Sequence, residues 1–249
     1  MTRQRYVSDE LTHFIGRGLL AKVPDQSERE DRIYDLLLRI LRGGRLQAKP
    51  EVLIAEGSSW QDAREGAADA RHVSWDRSRD LSEMFEPTVV CFCDIPLQDL
   101  GIHMSKYSRF GIAFTREFLL AHGANPVLYL AYDAVDADGA ANKESFSEGA
   151  QVTFNHVNEL MTAGTTEEWE LGLKLTSFLA VRLFPLIKPF HGSLADEDPE
   201  NYYMEREWRI YGSLNFALEN VRRVYLPERF AKTFRDDLPE YFGQVTFAH

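Results

Sequence analysis

The chain predicts an α+β fold, and three features of its sequence carry that prediction. One strongly amphipathic helix lies near the start, strand signals are dense in the middle and again in the last third, and the two do not alternate regularly. Regular alternation would predict a doubly wound parallel sheet, so its absence argues against one. The 249 residues are enough to bury one large core, and 44% hydrophobic with 12% aromatic content excludes a disordered chain. We therefore read residues 1–249 as a single domain, with a polar excursion around 49–81 and a helical insertion around 150–184.

The elements follow in order. Ile33, Leu36, Leu37, Ile40 and Leu41 fall on one stripe of a helix over Asp31–Arg42, which Gly43 and Gly44 end. Acidic Glu28, Glu30 and Asp31 sit near its start, where the helix dipole favours them. A β-rich run over Thr88–Cys93 stops at Asp94, Ile95 and Pro96, and Gly111–Phe114 is a second short strand. Thr115 caps the helix that follows, which ends at His122 and Gly123. Val127–Tyr132 is an apolar run of strand length, and Asp133–Gly149 is an acidic surface loop.

Two helices follow, over Gln151–Met161 and Glu167–Phe184. The second places Leu171, Leu175, Phe178 and Leu179 on one face. Leu186–Phe190 is a short strand whose Pro189 marks an edge position. Tyr203–Tyr211 and Asn220–Leu226 read as further strands. Pro227 opens a last helix reaching Leu238 with Phe230 and Phe234 inward, and Gln244–Phe247 closes the chain.

Charge narrows the partners. The chain has 28 Lys+Arg against 39 Asp+Glu, a net charge of −11, which disfavours binding along duplex nucleic acid. The start carries no apolar signal core, and no apolar run is long enough to span a membrane, so a cytoplasmic location is expected. Cys91 and Cys93 stand two residues apart, too close for an ordinary bridge and without the further ligands of a zinc site. No metal is expected.

Three segments carry possible chemistry. On a strand, Glu205, Glu207, Arg209 and Tyr211 share one face, with the two carboxylates roughly 6–7 Å apart. Such a pair suits general acid–base work, although an Arg–Glu lattice on a solvated sheet face has the same spacing. His13, between Thr12 and Phe14, can donate to a ribose hydroxyl or a carboxamide, although a lone histidine is more often structural. If the stretch after Leu97 is helical, His103, Lys106 and Tyr107 lie on one face that suits a nucleotide-like ligand. A metal nuclease built on Glu205, Glu207 and Asp94 is a weaker alternative, since no acidic-x-Lys signature accompanies it.

Taken together, Thr12-His13-Phe14, the run Tyr34 to Leu46, the run Val90 to Pro96, the run Tyr107 to Phe114, and Glu205 to Ile210 resemble the AbiGi family. That family is linked to bacterial abortive infection against phage and labelled an antitoxin. The layout also has a more distant resemblance to DarT-type ADP-ribosyltransferases, which implies two small packed mixed or antiparallel sheets flanked by helices. By position the resemblance implies Glu207 as the glutamate promoting transfer, with Glu205 completing a Glu-x-Glu pair. It implies NAD as substrate, with His13 orienting it and Tyr107 near the nicotinamide; Thr12 and His103 are further candidates for binding it. Glu205 or Glu207 would also take the acceptor proton. The implied partner is a protein or nucleotide acceptor or, in the antitoxin reading, a cognate toxin or phage component.

Overall fold

The computed structural model describes residues 8–20, 22–48, 89–101, 104, 107–131, 152, 156, 165–178, 183–190, 194–195, 198, 201 and 203–248. The polar excursion expected around 49–81 lies outside the described residues, as does most of the helix expected over Gln151–Met161; Val152 and His156 within it are helical.

Seven strands form the main sheet. In chain order they are β1 (Glu10–Phe14), β3 (Val89–Cys93), β4 (Gly111–Thr115), β5 (Asn125–Pro126), β8 (Glu207–Tyr211), β10 (Val221–Pro227) and β11 (Gln244–Ala248). Across the sheet the order is β11-β10-β4-β1-β3-β8-β5. Only β10 and β11 run parallel; the other neighbours are antiparallel. Two ribbons complete the described strands. One pairs β2 (Arg45–Leu46) with β9 (Leu214–Asn215), and the other pairs β6 (Leu128–Ala131) in parallel with β7 (Ile187–Phe190).

The α+β class is as expected, and the described main sheet is mixed and mostly antiparallel; β1 joins its two halves, pairing with β4 on one side and β3 on the other. The join to β3 is short, with Thr12 opposite Cys93 as its only register pair.

The α-helices whose bounds lie among the described residues are α1 (Arg17–Leu20), α2 (Gln26–Gly43), α3 (Arg116–Ala121), α4 (Thr166–Phe178) and α5 (Ala231–Asp237). α2 begins a turn and a half earlier than its apolar stripe predicts. Asp25 supplies the reason, because its side chain accepts from the Glu28 N–H at 2.8 Å and caps the polar first turn. Gly44 ends α2 in the left-handed conformation, φ 60°, with its N–H donating to the Ile40 carbonyl. A Cβ there would collide with the Phe216 carbonyl oxygen, so the position demands glycine twice over.

α2 lays Ile33, Leu37 and Leu41 against Leu11, Phe92, Ile112 and Phe114 on one face of the sheet. Full burial of one such side chain contributes about 1.5–3 kcal/mol. Tyr34 stacks on Phe230 with centroids 4.5 Å apart and donates to Asp237 at 2.7 Å, locking α2 to α5. A second, smaller cluster of Cys93, Ile95, Leu100, Ala113 and Tyr225 lies apart from it.

Candidate functional site

The site forms where β8 begins. Residues 203–205 make a single 3-10 turn, and the strand starts only at Glu207, which corrects the expected strand over Tyr203–Tyr211. Between them Arg206 takes φ 46°, an uncommon conformation for a residue with a side chain. The Asp94 N–H donates to the Arg206 carbonyl at 3.2 Å, and the Arg206 guanidinium reaches the same aspartate's carboxylate at 3.4 Å. The turn therefore breaks the strand spacing that placed Glu205 and Glu207 in separate register positions.

Both carboxylates converge on one ammonium. Lys188 Nζ, from β7, donates to Glu205 Oε2 and to Glu207 Oε2. Arg209 Nε takes the other oxygen of Glu207 at 2.7 Å, and its Nη1 donates to the carbonyls of Pro185 at 2.6 Å and Ile187 at 3.2 Å. The Tyr107 hydroxyl donates to Glu205 Oε1. The backbone of Glu207 is held as well: its N–H donates to the Tyr129 hydroxyl oxygen at 2.7 Å, and its carbonyl accepts from Val127 N–H at 3.0 Å. Glu205 and Glu207 are each only 5% exposed, so the network is a buried one.

Electrostatics follow from that geometry. Burial pushes the Glu207 carboxyl up, but the charges of Lys188 and Arg209 and the Arg209 hydrogen bond outweigh it and hold the group down at about 2. Burial lowers the Lys188 pKa despite the attraction of Glu207, while Glu207 raises that of Arg209 against the opposing effect of burial. An anion held this firmly is a poor proton acceptor at neutral pH. The arrangement suits fixed charge, for holding a fold or stabilising a developing cation, better than proton transfer.

Strand register sorts the remaining candidates. Thr12 faces Ala113 and Cys93, and Cys93 faces Glu207, so these four share one sheet face. Thr12 is buried there, and its carbonyl accepts from Cys93 Sγ at 3.2 Å. His13 faces Ile112 and belongs to the opposite face, 5.9 Å from the Phe92 ring centroid. Its Nδ1 donates to the Cys91 carbonyl oxygen at 2.8 Å, bridging β1 and β3 beside their short ladder.

Tyr107 stacks on Phe14 with centroids 5.9 Å apart, and the Arg17 guanidinium lies 5.0 Å from its centroid. The helix expected after Leu97 is present in part, as a 3-10 turn over Leu97–Asp99 followed by helical Leu100, Gly101 and Met104, while Tyr107 lies in a bend. His103 and Lys106 lie outside the described residues. The structure thus brings Glu205, Glu207 and Tyr107 together and places His13 apart from them.

Sequence reasoning missed Lys188 and Tyr129. Both come from the β6–β7 ribbon, far from Glu207 in the chain, and no local pattern ties either to it. Cys91, opposite Arg209 in the ladder, shares the Glu207 face. Burial by the surrounding protein and the Glu207 charge push its thiol pKa up although solvent still reaches it, so it is no ready thiolate. Both cysteines are free, and no group of His, Cys, Asp or Glu among the described residues has the arrangement of a metal site.

This frame can be set beside known proteins. The sequence profile of AbiGi, an abortive phage resistance protein and antitoxin, matches residues 67–238. The chain belongs to the AbiGi family. A curated relative, the abortive phage resistance protein AbiGi of Lactococcus lactis subsp. cremoris, is 28% identical over 145 residues. The match covers 52% of each chain, so this chain spans about half the length of the curated relative. No solved structure matches. No helix among the described residues is long and apolar enough to cross a membrane.

Proposed function

We propose that this AbiGi-family chain is the antitoxin half of an anti-phage, abortive-infection pair, and that it acts by binding and restraining a toxin. The observation that carries this reading is the closure of the Glu207 site: Lys188 and Arg209 occupy both carboxylate oxygens from within the chain. A carboxylate fixed in this way stabilises a scaffold and is not available as a general base. Family membership and the net charge of −11, complementary to a basic partner, support the same reading. Expression of the toxin of the same locus, alone and with this chain, tests it. Growth arrest relieved by the chain, and equally by a folded Glu207→Gln variant, is the expected result; arrest unchanged by the chain refutes the proposal.

A second reading has one observation in its favour. Tyr107, Glu205 and Glu207 meet at one end of a sheet, the cluster expected of an ADP-ribosyltransferase-like fold that transfers ADP-ribose from NAD to a macromolecular acceptor. An ionised Glu207 fits the stabilisation of positive charge on the ribose. It does not fit proton abstraction from the acceptor, and His13 on the opposite face does not fit a shared NAD site. A thermal midpoint raised by millimolar NAD, and lost in Glu207→Gln, is the outcome that favours transfer over restraint.

A further inference from the structure

α4 has a built start and an apolar stripe that is exposed among the described residues. Thr165 and Glu168 form a reciprocal cap: the Thr165 N–H donates to Glu168 Oε2 at 2.7 Å, and the Glu168 N–H donates to Thr165 Oγ1 at 3.4 Å. Gly172 is buried and Trp169 half-buried, so this side of the helix faces the protein. On the other side Leu171, Leu175 and Phe178, at i, i+4 and i+7, are 51%, 37% and 57% exposed. Periodicity alone assigns such a stripe to a core, and here it faces outward. Exposed Glu167, Glu168 and Glu170 flank its N-terminal end, and one cation, Lys174, lies beside it.

From this we infer that α4 is the docking element for the toxin, inserting Leu171, Leu175 and Phe178 into an apolar groove whose rim is basic. The inference rests on the antitoxin reading and names the surface through which it operates. Two features select this occupant. Apolar anchors at helical spacing are the pattern of a helix laid into a groove. The glutamates at one end of the stripe, on a chain of net charge −11, complement lysines or arginines around that groove and would steer it into place. The cap fixes the helix in advance, so little ordering is left to occur on binding.

The test uses the full chain and the purified toxin of the same locus, with binding measured by calorimetry. The Leu171→Glu/Phe178→Glu double variant is expected to keep the wild-type thermal midpoint, since both side chains are exposed, and to weaken binding by roughly a hundredfold. Glu167→Lys/Glu170→Lys, which leaves the cap intact, is expected to weaken it by roughly tenfold at low salt, and to flatten its salt dependence. Wild-type affinity in the double variant overturns the docking assignment while leaving the antitoxin reading in place. No binding by the wild-type chain overturns the antitoxin reading, and the docking assignment with it. A concentration-dependent wild-type dimer that Phe178→Glu dissolves makes the stripe a contact between two copies and likewise overturns the assignment.

Discussion

Arg209 donates to Glu207 at 2.7 Å from two positions along the same strand, and with its other arm holds the carbonyls of Pro185 and Ile187. One guanidinium thus neutralises a buried carboxylate and fixes the segment that delivers Lys188 to that carboxylate's second oxygen. The pair is therefore a structural joint between the main sheet and the β6–β7 ribbon.

Removing Arg209 leaves Glu207 buried with one of its two cations and frees the buried carbonyls of Pro185 and Ile187. Arg209→Met is expected to destabilise the chain by about 3–5 kcal/mol. Equilibrium urea unfolding measures the loss, and a change below about 1 kcal/mol contradicts the joint.

Acid should dissolve it from the other side. The Glu207 carboxyl is held down at about 2 when folded, below its ordinary value of about 4.3 when unfolded. Its contribution is therefore fully present above about pH 4.3 and is lost as pH falls toward 2. Unfolding free energies across that window should fall more steeply for the wild type than for Glu207→Gln. Parallel curves mean that Glu207 is not ionised against Lys188 and Arg209.

Tyr107→Phe isolates the third partner. The phenyl ring keeps its place against Phe14 while Glu205 loses a hydroxyl donor, so a cost of about 1–2 kcal/mol is expected from urea unfolding. A neutral substitution would mean that this hydrogen bond contributes nothing to the fold.

Much of this architecture is legible in the sequence, because local signals and tertiary packing agree. The stripe of α2, the Thr115 cap on α3 and the inward Phe230 and Phe234 appear where periodicity and capping rules put them. The misreadings have physical causes. Period-two counting runs the strand back to Tyr203, but left-handed Arg206 interrupts it and turns Glu205 toward Lys188. His13 is a different case: the family resemblance joins it to the candidate site, and strand alternation puts its side chain on the sheet face opposite Glu207. Lys188 gives no local signal, since a lysine beside a proline in a short strand acquires meaning only when β7 crosses to β8.

His13 then has a structural task that can be measured. Its bond to the Cys91 carbonyl reinforces a β1–β3 ladder only one residue pair long. His13→Ala is expected to cost about 1 kcal/mol and to speed amide exchange in β3 more than in β4. Equal acceleration in both strands argues against a local bridge.

The most direct test of the central claim is a titration of purified toxin with purified wild-type chain, with toxin activity as readout and no NAD present. Restraint by binding predicts that activity falls in proportion to added chain and ends at stoichiometric equivalence. Inhibition that requires NAD, or that is complete far below equivalence, contradicts restraint by binding and makes the chain an enzyme.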